Sequence, residues 1–140
     1  MKSKDLYKSP AWKYFSRYVL LYYSDGLIAQ CFTCGKVLQI NTSDCHCGHL
    51  IKVTDSQATA FDFSNCGVQC MRCNRYMGGR QDIMYHKLVE IHGKEAIEKL
   101  YIRKWNICKL DKFTMEILAK EWKQKFEELV FKKGNPWKNK

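Results

Sequence analysis

The chain has 140 residues, 46% of them hydrophobic, which is enough for one compact domain (1–140) with a core that needs no disulfides. Its formal charge of +10, from 24 basic and 14 acidic side chains, is spread over both ends and the middle, as on a surface that faces a polyanion. Two prolines argue against long disordered linkers, no apolar run reaches the length of a membrane span, and the charged opening Met1–Leu6 lacks the apolar stretch of a secretory leader, so a reducing, cytoplasmic setting is expected.

In chain order, Ser9-Pro10 predicts a helix start, with Ser9 as cap and Pro10 in the first turn. Apolar residues at Tyr14, Phe15, Tyr18, Val19, Leu21 and Tyr22 continue that helix over 9–25, to Asp25-Gly26. Residues 27–40 predict a hairpin whose tip is Cys31-Phe32-Thr33-Cys34-Gly35. A polar turn at 41–44 follows, then two short strands at 50–53 and 60–63. From Cys70 the pattern is helical to Met77 and stops at Gly78-Gly79. Further helices are expected at 81–92 (Ile83, Tyr85, Leu88, Val89 and Ile91 apolar), 94–104 and 112–132 (Phe113, Ile117, Leu118, Trp122, Phe126, Leu129 and Val130 apolar). The organisation is thus an N-terminal helix (9–25), a cysteine-bearing core (27–80) and a C-terminal helical region (81–133).

Four of the eight cysteines form two Cys-x-x-Cys pairs, Cys31/Cys34 and Cys70/Cys73. In a reduced chain this spacing predicts one closed, four-thiolate Zn²⁺ site with no open position for catalysis. A hairpin knuckle would supply the first pair and the first turn of a helix the second, the arrangement of a treble-clef finger. Cys45, Cys47 and Cys66 with His46 are a second conceivable zinc set, and Cys66 and Cys108 otherwise read as small buried side chains.

A clamp that only held a loop closed would not need what lies between the pairs: His46, His49 and Asn65, with Asn74 just beyond the last cysteine. Phosphodiester hydrolysis needs an activated water and something to absorb developing charge. A histidine takes a proton from water near neutral pH when its ring is held in one orientation, which an asparagine could do. A further ligand on the adjacent helix could then complete a Mg²⁺ or Mn²⁺ site that keeps several waters.

The residues Cys31-x-x-Cys34, Gly48-His49, Ala60-Phe61-Asp62-Phe63-Ser64-Asn65, Gln69-Cys70-Met71-Arg72-Cys73-Asn74 and Gly78-Gly79 resemble the HNH (ββα-metal) endonucleases, and are most similar to the phage NinG/Rap recombination endonucleases. The resemblance runs over about 27–130. It implies an α+β fold with a zinc-stapled treble-clef/ββα-metal core, His49 as general base, Asn65 as the residue that orients it, and Asn74 on the metal side of the site. It also implies cleavage of branched recombination intermediates such as Holliday junctions or D-loops; an enzyme that cuts junctions needs paired active sites, and a homodimer is the expectation from that function alone. Ala60 departs from that branch, which carries arginine there. Gly48 stands where many HNH enzymes carry a metal ligand, so the catalytic ion would draw on His46, Asp62 or Asp44 together with Asn74.

Arg72, Arg75 and Arg80, with no acid between them, are candidate phosphate contacts, as are Lys36 and Lys52 beside the proposed site. Tyr7, Trp12 and Tyr14 are read as core residues, with base stacking as the other option. The sequence therefore favours a metal-dependent DNA endonuclease. A noncatalytic zinc-finger DNA-binding protein on the same scaffold and a zinc-stabilised protein-interaction module are the alternatives.

Overall fold

The computed structural model describes residues 1–138. A short helix, α1 (Ser3–Tyr7), leads into α2 (Pro10–Tyr22), where the Ser9 Oγ accepts from the Trp12 N–H at 3.1 Å and Pro10 occupies the first turn. Two antiparallel hairpins follow: β1 (Ile28–Gln30) with β2 (Val37–Gln39), and β3 (Cys45–His49) with β4 (Cys66–Cys70). Three helices complete the chain: α3 (Gln81–His92), α4 (Lys94–Arg103) and α5 (Lys112–Lys133). The fold is thus mixed, helices with two small sheets, and none of the described helices is long and apolar enough to cross a membrane.

α2 and α5 run parallel against one another. Phe15 meets Trp122 edge-on at 4.7 Å, and near the far end the Lys133 Nζ donates to the carbonyls of Leu21, Tyr22 and Ser24 at 2.7–3.1 Å. That ammonium fills the unsatisfied C-terminal carbonyls of α2, where a positive charge is favoured. α3 and α4 bury Met84, Leu88, Ile97 and Leu100 in one cluster with Leu50 and Ile51.

The expected strands at 50–53 and 60–63 do not form. Residues 51–61 are turns and bends, Phe63–Asn65 is a 3₁₀ turn capped by Asp62, and the strands are the Cys-His-Cys-Gly-His tract itself and Cys66–Cys70. Val68 is the one β-branched or aromatic residue in these two strands, so they carry little of what marks a strand by sequence, and β4 is buried along its whole length. His49 therefore ends a strand and does not begin one. Cys70 likewise closes β4, and the expected helix shrinks to a π-helical turn, Arg72–Tyr76. The helical phases also shift: α3 buries Met84 and Leu88 and turns Ile83 and Ile91 outward, α5 exposes Phe113 and Ile117, and Cys108 is exposed.

The β3/β4 register sets Gly48 opposite Gly67 and His49 opposite Cys66. The glycines are steric necessities. A Cβ on Gly48 would lie 1.9 Å from Gln69 Oε1, and one on Gly67 would lie 2.4 Å from the Phe32 ring. Gln69 is fully buried, and its amide N–H donates to the Gly79 carbonyl at 2.8 Å and to Thr33 Oγ1 at 3.2 Å. One side chain thus ties β4 to the first cysteine knuckle and to the glycine stop before α3.

The Sγ atoms of Cys31, Cys34, Cys70 and Cys73 all lie within 4.8 Å of one another, and among the described residues they form the one group of three or more His, Cys, Asp or Glu side chains so gathered. Four Zn–S bonds of about 2.3 Å make a tetrahedron with edges of about 3.8 Å. The Cys34–Cys70 sulfur separation is 3.8 Å, so the four cysteines are positioned to bind a metal ion and their geometry suits Zn²⁺. Burial pushes the Cys31 thiol up, but the Thr33 hydroxyl and backbone donors at Cys70, Thr33 and Cys34 outweigh it and bring its pKa down to about 6, so the thiolate is its form at neutral pH. Cys45, Cys47 and Cys66 form no second cluster with His46. They lie along the two strands, and burial raises Cys45 to about 12 and lifts Cys66 well above the usual thiol range, so both are small neutral core side chains.

Two outcomes follow from this packing. Cys70→Ser should release the bound zinc and lower the melting temperature sharply, because structural zinc supplies on the order of 10 kcal/mol in finger peptides; metal analysis and calorimetry read both. Gly48→Ala should destabilise the protein by about 1–3 kcal/mol through overpacking, and Gln69→Ala should cost less in that background than in wild type, which a double-mutant cycle in urea would measure.

Candidate functional site

A cleft of about 590 Å³ runs along β3, between the N-terminal helices and the π-helical turn. Tyr7 and Trp12 line one side, His46 and His49 the floor, Lys52 and Thr54 one end, and Asn74 and Arg75 the other side. Among the described residues no carboxylate lines it. Its basic side chains are a lysine, an arginine and two histidines, a surface suited to an anion.

His49 is 7% exposed, stacked on the Trp12 indole at a ring separation of 5.0 Å and an interplanar angle of 27°. Its Nε2 lies 2.9 Å from the Ala60 carbonyl, which can only accept, so Nε2 carries the proton. Nδ1 is then the basic nitrogen, and the Tyr7 hydroxyl stands 3.4 Å from it. Burial pushes the His49 pKa below the ordinary value of 6.5, with the Ala60 carbonyl opposing, so the ring is neutral at neutral pH. Burial likewise raises Tyr7 to about 12, so its hydroxyl keeps its proton.

Asn65, expected to touch the histidine, does not. It is fully buried; its Oδ1 accepts from the Ile51 N–H at 2.7 Å and its Nδ2 donates to the carbonyls of Ile51 and Thr59 at 3.0 Å. Its effect on His49 passes through the backbone: it clamps the two ends of the 51–59 segment, and the next residue, Ala60, presents the carbonyl that fixes the ring. Ala60, where the related pattern carries an arginine, is itself completely buried.

His46 and Asn74 meet across the cleft. The Asn74 Nδ2 donates to His46 Nδ1 at 3.0 Å, and His46 Nε2 donates to the Ser43 carbonyl at 3.0 Å. Burial, and less so the Arg75 charge, lower the His46 pKa against the Ser43 carbonyl, which keeps the ring neutral; only Nδ1 has a lone pair, and Asn74 now occupies it. Asp62 is not part of this set. It does not line the cleft; its Oδ1 accepts from Ser64, and its Oδ2 pairs with Arg103 at 2.5 Å. The expected trio of His46, Asp62 and Asn74 therefore reduces to two residues. Asp44 is committed as well, to Lys36 at 2.7 Å and to the Met71 N–H at 3.2 Å.

Of the expected phosphate contacts, Lys52 and Arg75 reach the cleft and are exposed, and Arg72 is exposed on the same turn. Lys36 is held by Asp44. Arg80 begins α3 in a left-handed conformation (φ 44°), half-buried, its Nε shielded and unpaired, and so is poorly presented. Sequence reasoning missed Tyr7 and Trp12 as walls of the site and Ala60 as the group that fixes the base. The Ser9-Pro10 signal places Trp12 in the first turn of α2, but no local pattern says which ring it covers.

No curated protein and no solved structure shows significant similarity to this chain. The family model described as Bacteriophage Lambda NinG protein matches residues 1–131. With nearly the whole chain covered by that match, from α1 to the last turns of α5, the protein belongs to the NinG family.

Proposed function

We propose that this protein is an HNH-type endonuclease that hydrolyses phosphodiester bonds in DNA, with a role in phage recombination inside the host cell, as membership of the NinG family suggests. The observation that carries the reading is His49: a neutral imidazole of fixed tautomer on the floor of a basic, carboxylate-free cleft. Phosphate enters opposite Lys52 and Arg75, with Arg72 on the flank. His49 Nδ1 takes the proton of the attacking water, Ala60 holds the ring, and Asn65 holds Ala60. The Tyr7 hydroxyl marks where a hydrogen-bonding partner of Nδ1 stands.

A divalent cation, Mg²⁺ or Mn²⁺, would rest on Asn74 and His46 and take its remaining ligands from phosphate and water, as such ions commonly do. It would supply stabilisation of charge on the phosphorane and the leaving oxygen. The zinc-bound cysteines frame the site without entering the reaction. Branched DNA is the substrate class, and cutting two strands of a junction would use two copies of the chain.

The alternative is a noncatalytic DNA-binding protein on the same scaffold, favoured by the deep burial of His49 beneath Tyr7 and Trp12. A cleavage assay on linear, nicked and four-way-junction DNA with Mg²⁺ or Mn²⁺ separates the two. His49→Ala should slow cleavage by about 10²–10⁴-fold with little change in salt-sensitive binding. Equal cleavage by both proteins removes His49 as base; binding without cleavage by wild type establishes the alternative. Because the base acts unprotonated and its pKa is depressed, the acid limb of the pH–rate profile should fall below 6.5, with activity lost as pH drops through that lower value. Asn65→Ala should both destabilise the protein and move that limb, because it frees the segment that carries the Ala60 carbonyl.

A further inference from the structure

Between α4 and α5 the chain presents large apolar side chains to water. Trp105 is 80% exposed, Ile107 is fully exposed, and Phe113, on the first turn of α5, is 71% exposed. Trp12, Trp122 and Trp137 are all at least half-buried, so Trp105 stands apart. The loop is not slack. The Asn106 N–H donates to the Arg103 carbonyl at 3.0 Å, the Ser56 hydroxyl donates to the Lys104 carbonyl at 2.8 Å, and Leu110 is buried with Leu6, Val53 and Ala60. Both stems are therefore anchored while the tip is bare.

The charges around the tip select its partner. Lys104 lies 5.2 Å over the Trp105 ring, and neither Lys104 nor Lys112 forms an ion pair among the described residues. Asp111, the nearest acid in sequence, caps α5 through the Thr114 N–H at 2.8 Å, and one carboxylate, Asp55, lines the hollow beside Lys104. An aromatic tip set among unpaired lysines is complementary to a base flanked by phosphates. Its location agrees: Thr54 lines both the His49 cleft and the hollow beneath Lys104, Asn106 and Cys108.

We infer that the Trp105–Ile107 tip is a stacking wedge for unpaired bases, engaging a nucleic acid at its branch point or single-stranded arm while the adjoining duplex lies in the cleft. This inference rests on the DNA reading above and adds the device that would distinguish branched from fully paired DNA. In a paired duplex the base faces are occupied by their neighbours, so the indole has nothing to stack on; at a branch they are available.

The test measures binding of the zinc-loaded full chain, without added Mg²⁺ or Mn²⁺, to a fully paired duplex and to a flap DNA of equal length with one single-stranded arm. Either DNA can quench Trp12 in the cleft, so the signal is the additional quench that the flap DNA gives over the duplex. Trp105→Ala should remove most of that quench and weaken flap binding about tenfold, leaving duplex binding unchanged, while Trp105→Phe should retain much of the preference. Position 105 is exposed, so folding is not at stake in either variant, and circular dichroism verifies it. Unchanged flap affinity in Trp105→Ala, or an equal loss on both DNAs, overturns the wedge. So does a variant that binds both DNAs normally but shifts from dimer to monomer in sedimentation, which would make the tip a contact between copies. Wild type that binds neither DNA would sink the DNA reading itself, an outcome distinct from a wild type that binds both equally.

Discussion

Everything in this molecule hangs on the joining of two hairpin ends by four sulfur atoms. The first hairpin brings Cys31 and Cys34, the end of β4 and the turn after it bring Cys70 and Cys73, and the four sulfurs come within bonding range of a single ion. Strands of three and five residues are too short to hold a sheet by ladder hydrogen bonds alone. A metal ion held by the four cysteines would make up the difference, and Gln69 carries the constraint inward by linking the knuckle at Thr33 to Gly79. β3 is thereby fixed in register, and with it the position of His49 on the cleft floor.

The site balances two opposed requirements. A histidine that is to accept a proton at neutral pH benefits from burial, which keeps it neutral, yet the substrate must still reach it. The protein leaves His49 almost covered, with an indole on its face and a phenol at its basic nitrogen. Those covers belong to α1 and the first turn of α2, not to the zinc-held strands. The frame and the cover are thus separate elements, joined through the core that Phe15, Val19 and Leu21 share with Cys47, Cys66 and Val68.

Much of the scaffold was readable in the chain. Ser9-Pro10, Gly93 and Gly134 announce helix ends by backbone chemistry alone, and the two cysteine pairs announce their cluster by spacing. The strands were not readable, because Cys45–His49 and Cys66–Cys70 are shaped by tertiary packing: their glycines answer to Gln69 and Phe32, residues distant in sequence. The same reason hid the true partner of His49. A backbone carbonyl at Ala60 leaves no trace in residue identity, whereas Asn65, which does, acts one step removed. Asp62 misled for a related reason. Its carboxylate looks like a ligand until Arg103, forty-one positions later, turns up beside it.

The ammonium of Lys133, seated on three carbonyls at the end of α2, has a mechanical meaning. α2 begins with the ring that covers His49 and ends on that ammonium, so the helix behaves as a beam pinned at its far end by the last turn of α5. The near end is held too: Ala11 and Phe15, on either side of Trp12, are completely buried. With both ends fixed the helix has one axial position, so the clasp on Lys133 and the packing at Phe15 together set where the indole rests on the histidine.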